Sequence, residues 1–285
     1  MMNNQIRSKI KKIKIHTKRM MHTTLTGDYL SSFRGTGLEF HQIRGYQQGD
    51  DIRTIDWKSS AKLNTIMVKE FIEQRERTIL VALDTSLSQN YGSGSQLKYQ
   101  LAKDIAAALV CIGEENKDNV GLVLFNDVVH QRHPARKGST HSSSLLGSIY
   151  NTPSTGKTNM HALCDELLKK PVKNTILFIV SDWINQSPEA LKRFNVLTRL
   201  YDVIAMHITD PCEIALPSIG LITMQDPETG NLVTINTKSA NAFLKQQQLE
   251  LKNFFSRNRL RNMQIQTDTP WIIRLTRFLQ TRTSY

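Results

Sequence analysis

Asp84-Thr85-Ser86-Leu87-Ser88 closes the apolar run Ile79-Leu80-Val81-Ala82-Leu83, so a carboxylate and two hydroxyls are delivered to the tip of one expected buried strand. Two other polar stretches add oxygen donors. Thr158 lies in Gly156-Lys157-Thr158-Asn159, and Asp182 follows the apolar run that ends at Val180-Ser181. Hydroxyls combined with one or two carboxylates suit a hard divalent cation, Mg2+ or another such as Mn2+, because magnesium demands oxygen ligands in near-octahedral geometry and usually keeps water. Strand alternation or a tight turn would let residues 84, 86 and 88 face one point. In the competing reading, Ser86 and Ser88 cap the following helix and Asp182 caps the next one.

Catalytic uses of the same residues lack the partners they need. Asp84 could be the aspartyl nucleophile of a metal-dependent phosphohydrolase, but such enzymes carry a second acid two positions on, and position 86 is Ser. Gly156-Lys157-Thr158 fails as a phosphate loop: Asn151 stands where a glycine is required, and no apolar strand immediately precedes it. His22, His130, His133 and His161 are scattered, without the turn that would expose a nucleophilic serine.

These residues need elements to position them. From residue 76 onward, apolar runs alternate with amphipathic stretches, which predicts a doubly wound, mostly parallel α/β sheet flanked by helices. Strands are expected at 78–84, 119–125, 174–181 and 201–208, and ligands of such sheets bind beyond the carboxyl ends of the strands. Leu97, Leu101, Ile105, Leu109 and Ile112 mark the apolar face of a helix, with Lys98 and Lys103 expected to point elsewhere. Met160, Leu163, Leu167 and Leu168 make a shorter helix, and Ser187-Pro188-Glu189 announces another. Residues 27–75 carry glycines and charges interleaved with aromatics, so regular helix is not expected before about Ile66, and Met67-Val68-Lys69-Glu70-Phe71 reads as a half-exposed strand. Beyond residue 210, the turn Asp226-Pro227-Glu228-Thr229-Gly230 predicts a hairpin closing through Leu232-Val233-Thr234-Ile235. A helix over 237–257 and a last helix from Thr269-Pro270 complete the chain. The expected division is a basic segment 1–26, an irregular or β block 27–75 packed on the sheet, an α/β domain 76–225 and a C-terminal extension 226–285.

Composition narrows the class. The 285 residues are 39% hydrophobic and 22% charged, ordinary values for a folded protein. No stretch approaches the ~18–20 apolar residues of a membrane span, and the N-terminus lacks the pattern of a secretory signal, so a cytoplasmic location is expected. Cys111, Cys164 and Cys212 are odd in number and far apart, which argues against disulfides and zinc ribbons. The net charge of +12 draws on Arg7, Lys9, Lys11, Lys12, Lys14, Lys18 and Arg19 ahead of the first acid, Asp28. No Phe, Tyr or Trp interrupts residues 1–28 to stack a base, so a solvated helix is expected there rather than a nucleic-acid arm, and Arg257, Arg259 and Arg261 are read the same way.

The order Asp84-x-Ser86-x-Ser88, then Thr158, then Asp182 resembles the metal-ion-dependent adhesion site of von Willebrand factor A domains. The resemblance implies that Ser86, Ser88 and Thr158 offer hydroxyl ligands, that Asp84 and Asp182 bind the ion directly or through water, and that an acidic residue of a partner completes the shell. Phe33-Arg34-Gly35-Thr36-Gly37-Leu38-Glu39-Phe40, Arg44-Gly45-Tyr46, Gly49-Asp50-Asp51-Ile52-Arg53, Ile55-Asp56-Trp57, Ser60-Ala61 and Val68-Lys69-Glu70-Phe71 resemble the signature of domain of unknown function 58. This resemblance covers about residues 25 to 281. It implies a bacterial, non-catalytic protein working with a MoxR-type AAA+ ATPase in a chaperone or assembly-adaptor role, here without the membrane helices of longer members. Cys212 in Asp210-Pro211-Cys212-Glu213 departs from the family pattern. The mixture of Arg44, Asp50, Asp51, Arg53, Asp56 and Trp57 reads either as an ion-pair network stapling the N-terminal block to the sheet, the favoured expectation, or as a partner-binding surface.

Overall fold

Runs of branched residues form strands and 3.6-residue repeats form helices over nearly all of the chain, and the computed structural model describes residues 4–24, 38–73, 77–184, 188–225 and 231–280. In chain order the elements are α1 (Asn4–Thr24), β1 (Leu38–Gly45), α2 (Trp57–Leu63), β2 (Met67–Glu73), β3 (Thr78–Asp84), α3 (Lys98–Glu115), β4 (Asn119–Phe125), β5 (Val129–Arg136) and α4 (Ser139–Asn151). They continue with α5 (Met160–Lys169), β6 (Thr175–Ser181), α6 (Pro188–Leu200), β7 (Asp202–Thr209), α7 (Pro211–Ile214), β8 (Leu221–Gln225), β9 (Leu232–Asn236), α8 (Thr237–Arg257), β10 (Arg261–Gln266) and α9 (Trp271–Gln280).

Six strands make the main sheet in the order β10-β7-β6-β3-β4-β5, all parallel except β5, which runs antiparallel to β4 along one edge. This is the expected von Willebrand factor A-like architecture. Every residue of β3 and β6 is buried, because helices cover both faces. Ile79, Val81 and Leu83 face a core shared with α1, α3, α4 and α9. Leu80 and Ala82 face the other core, which takes in α5, α6 and Phe255 of α8. The register sets Leu83 beside Val180 and Asp84 beside Phe125, so the strand tips of β3, β4 and β6 end level with one another.

The expected strands appear at 78–84 and 119–125 without shift and at 175–181 and 202–209 with one-residue shifts. The helix expected over 237–257 is α8, and β8 and β9 pair as the expected hairpin. Its turn Asp226-Pro227-Glu228-Thr229-Gly230, the cap Ser187 and the Phe33-to-Gly37 signature lie outside the described residues.

Four expectations are corrected. Lys98 and Lys103 do not point away from the core: Lys98 is fully buried, and Lys103 donates to the Thr152 carbonyl at 2.7 Å, tying α3 to the end of α4. Their apolar stems lie along the packed surface while each ammonium finds oxygen partners, which helical periodicity alone does not foresee. The 27–75 block does contain a helix before Ile66, because Asp56 caps α2 by accepting from the backbone N–H groups of Lys58 and Ser59. The N-terminal helix is not merely solvated. Its Ile10 and Ile13 are buried in the core, while Lys9 pairs with Asp104 at 2.9 Å and Lys14 with Glu114 at 3.1 Å. Finally, the ion pairs of the N-terminal block, Arg44 to Asp50 and Glu70, Arg53 to Asp51 and Lys69 to Asp56, close within it. Among the described residues they brace β1, β2 and α2 against one another rather than against the main sheet.

Two helical glycines make a controlled comparison. A Cβ at Gly113 in α3 would stand 2.4 Å from the Val120 Cγ2 of β4, whereas one at Gly147 in α4 meets nothing within 4 Å. Replacing Gly by Ala gains roughly 1 kcal/mol of helix propensity, and overpacking a tight core costs about 1–3 kcal/mol. Gly147→Ala is therefore expected to raise the unfolding free energy by up to about 1 kcal/mol and Gly113→Ala to leave it unchanged or lower it by up to about 2 kcal/mol net, both read by urea unfolding.

Candidate metal centre

The expected ligands lie at the carboxyl edge of the sheet. Asp84 ends β3 and accepts from the Ser86 backbone N–H at 2.9 Å, a tight turn that points the chain into the 3-10 segment Leu87–Gln89. Asp84 and Ser86 thus reach one point through this turn. Although Ser86 occupies the cap position of that segment, its hydroxyl makes no capping bond. It lies 2.9 Å from the Ser88 Oγ and accepts from the Thr158 Oγ1 at 2.8 Å. Thr158 is also 3.3 Å from the Ser88 Oγ and 3.3 Å from Asp84 Oδ2. The capping alternative for the two serines therefore falls.

Thr158 is placed by its loop. The Thr155 N–H donates to the Thr85 carbonyl at 2.8 Å, the Leu87 N–H to the Gly156 carbonyl at 3.0 Å and the Asn159 N–H to the Asn126 carbonyl at 2.8 Å. Gly156 has φ +70°, a backbone conformation that strains any L side chain, and a Cβ there would also displace the Asp127 carboxylate, whose Oδ1 would stand 2.8 Å away. The same Gly-Lys-Thr stretch that cannot cradle phosphate has a steric reason to begin with glycine.

Asp182, just past β6, is buried beside this cluster. Its Oδ1 accepts from the Ile184 N–H at 3.3 Å, and its Oδ2 accepts from the Lys98 Nζ at 3.1 Å. Lys98 donates in turn to the Glu213 Oε1 at 2.5 Å. Burial works against the Lys98 charge, yet Asp182 and Glu213 outweigh it and hold its pKa above the usual lysine value. Burial, then the neighbouring Asp182 charge, pushes Asp84 up to about 6. Trp183, next in the chain, has φ +56°, uncommon for a bulky residue, and packs edge-on to Phe255 with centroids 5.3 Å apart.

Several partners escaped the sequence reading. Ser181 donates to Asp84 Oδ2 at 2.7 Å from full burial, so it orients the carboxylate from the neighbouring strand. Its only signal was a hydroxyl directly preceding Asp182. Lys98 and Glu213 carried no signal, because they meet the site across 84 and 31 residues of chain from Asp182. His207, on β7, lies across from Ser181 in the register. In the turn that departs from the family pattern, Asp210 and Glu213 form a reciprocal capping box on α7, with Cys212 donating its backbone N–H to Asp210.

The donor set can be tested against a hard cation. Neighbouring oxygens in an octahedral shell of ~2.1 Å radius stand about 3 Å apart. The contacts among Asp84, Ser86, Ser88 and Thr158 span 2.8 to 3.3 Å. The charge balance points the same way, since Asp182 and Glu213 share the Lys98 ammonium, while Asp84 takes its hydrogen bonds from Ser181, the Ser86 N–H and Thr158. Among the described residues no group of three or more His, Cys, Asp or Glu is placed to hold a metal, so hydroxyls would have to supply most of the ligands of an ion bound here. These residues fit a hard divalent ion held by hydroxyls and carboxylate.

The sheet order and its two helical layers define a von Willebrand factor A-like α/β fold. A family model described as "Protein of unknown function DUF58" matches residues 42–251, and the chain belongs to that family. An uncharacterized protein of Mycobacterium tuberculosis is 27% identical over 224 residues, covering 78% of this chain and 70% of its own. The uncharacterized protein YeaD of Bacillus subtilis is 32% identical over 78 residues, 26% of this chain and 20% of its own. Among solved structures, the conserved hypothetical protein BatB from Bacteroides thetaiotaomicron aligns with a TM-score of 0.50 at 15% identity, over 73% of this chain and 98% of that one, a likeness of fold. No helix among the described residues is long and apolar enough to cross a membrane.

His207 supplies a pH test. Burial lowers its pKa from 6.5 to about 4, opposed by Asp182 and reinforced by Lys98. The unfolded chain therefore takes up this proton before the folded one. The contribution is intact above about pH 6.5 and is lost progressively as the pH falls to about 4. His207→Gln is expected to flatten the acid limb of the stability profile, relative to wild type, by about 2–3 kcal/mol between pH 6.5 and 4, read by urea midpoints at each pH.

Proposed function

We propose that this chain is a metal-dependent protein-interaction adaptor: Asp84, Ser86, Ser88, Thr158 and Asp182 hold Mg2+ or a similar hard ion, which receives a carboxylate from a partner protein. The observation that carries the reading is the convergence of the Ser86, Ser88 and Thr158 hydroxyls on one another and of Thr158 on Asp84, at octahedral-edge distances, in place of capping bonds. Neutral hydroxyl ligands leave a bound cation electron-poor, which favours a carboxylate from outside. Asp84, Ser86 and Asp182 are buried, whereas Ser88 and Thr158 are half-buried, so the approach lies on their side.

In this proposal the partner class is a MoxR-type AAA+ ATPase and the role is chaperone-like assembly or activation of other proteins, without catalysis by this chain. The alternative, phosphoryl chemistry at Asp84, lacks the second acid at position 86. Steady phosphate release by the purified protein, lost in Asp84→Ala, would favour that alternative instead.

Magnesium is expected to raise the thermal midpoint of the wild type over that in chelator, with about 2.7 kcal/mol of stabilisation at a hundredfold excess over the dissociation constant. Ser88→Ala and Thr158→Val should remove the shift while leaving the chelated midpoint near wild type, because both side chains lie at the open edge of the cluster. Coincident wild-type midpoints with and without metal would sink the metal reading. Capture of the cognate ATPase from native cells, abolished by chelator and by Thr158→Val, tests the partner.

A further inference from the structure

Lys98 is the least expected group at the carboxyl edge. It is fully buried at the first position of α3, and its ammonium is shared between Asp182 at 3.1 Å and Glu213 at 2.5 Å. Asp182 is at the same time one of the residues assigned to the ion. We propose that Lys98 is a built-in counter-cation that tunes the metal centre: it keeps the fold standing without the ion and holds the ion's affinity down, so that the metal is exchangeable rather than structural. This inference rests on the metal reading.

The argument begins from charge. With Lys98 in place, Asp84, Asp182 and Glu213 together carry two uncompensated negative charges, which a divalent ion balances. Without Lys98 there are three, in a region where an unpaired buried charge is strongly destabilising. A protein whose only cation were the metal would need it to fold, as small structural metal domains do. Lys98 supplies one permanent positive charge in its place.

The same ammonium opposes the ion. It is one carboxylate away from the metal ligands and bonds an oxygen of Asp182 that would otherwise be free to face a cation, directly or through water. Two effects of Lys98 thus compete: repulsion weakens metal binding, and fixing the Asp182 carboxylate assists it. Fixing is already provided from the other side, since the Ile184 N–H holds Asp182 Oδ1 at 3.3 Å. Repulsion is therefore the larger effect, because like charges in a poorly solvated site interact far more strongly than in water.

Glu213 anchors the opposite end of the bridge. Its Oε2 accepts from the Asp210 N–H at 3.0 Å in the α7 capping box, and Asp210 takes the Ser93 hydroxyl and the Thr267 hydroxyl at 2.9 Å. Gln248 of α8 donates to the Ile214 carbonyl at 3.2 Å. Lys98 consequently joins the metal ligands to α7, α8 and the loop after β10 through one continuous polar chain.

The test compares Lys98→Met, Lys98→Arg and the double variant Lys98→Met/Glu213→Gln, which removes one charge of each sign and so keeps the net balance. Magnesium affinity is measured by isothermal titration calorimetry, and stability by thermal unfolding with and without chelator. Lys98→Met is expected to be strongly destabilised in chelator and rescued by magnesium. The double variant should fold in chelator and bind magnesium at least tenfold more tightly than wild type, while Lys98→Arg should stay near wild type. Tighter binding is a readout that a merely structural ion pair would not move. Wild-type affinity in the double variant, with magnesium bound by both, overturns the tuning role and leaves the metal reading standing. No magnesium binding by any variant overturns both.

Discussion

Negative charge without water is the constraint around which the carboxyl edge of this sheet is arranged. Asp84 and Asp182 terminate adjacent buried strands, and the parallel register that covers both faces of β3 and β6 with helices is what deprives their carboxylates of solvent. Each neighbour then answers that charge in a different way. Ser181 and the Ser86 backbone N–H donate to Asp84, Lys98 donates to Asp182, and the Ile184 N–H supplies a second donor. Hydrogen bonding alone does not neutralise Asp84, which is why burial still lifts its pKa to about 6.

The backbone around the edge serves the same end. Three loops, after β3, after β4 and before α5, are stitched by main-chain hydrogen bonds and by the side chains of Thr85, Asn126 and Asn159, so the hydroxyls of Ser86, Ser88 and Thr158 remain uncommitted to the scaffold. Gly156 makes the close passage of the Thr158 loop possible. A hydroxyl engaged in capping would be lost to the cluster, so the absence of a side-chain cap at Ser86 is a structural requirement of the site.

Much of this was legible in the sequence, for physical reasons that also explain the gaps. Central strands such as 78–84 and 119–125 announce themselves because burial on both faces demands unbroken apolar residues. Edge strands do not: none of β5 and only Met263 and Ile265 of β10 are fully buried, so Arg261-Asn262-Met263-Gln264-Ile265-Gln266 hides a strand. That the polar stretches at 84–88, 158 and 182 come close to one another was legible for Asp84, Ser86, Ser88 and Asp182, which end or follow a strand, whereas Thr158 lies in the loop between α4 and α5. Lys98 was not, since helical periodicity assigns it to a polar face and says nothing of the two carboxylates that tertiary packing brings to it. The ion pairs of the N-terminal block were legible as a network but not in their target, because Arg44 and Asp50 are close enough in sequence to satisfy one another.

The division of donors gives the edge a direction. Charged oxygens lie on the buried side, where Asp84 and Asp182 are enclosed by the sheet and by Lys98. The accessible side carries only neutral oxygens of the set, those of the half-buried Ser88 and Thr158, with the Ser86 hydroxyl buried between the two sides. In the proposed reading, a cation seated between them has its charge only partly offset from within, and what remains is directed outward. An incoming carboxylate is attracted along that direction, whereas an incoming cation is repelled. The preference for an acidic partner then follows from which side of the shell is charged, and it needs no dedicated basic residue at the surface. Lys98 fits this arrangement because it compensates the inner side without placing a competing positive charge at the outer one.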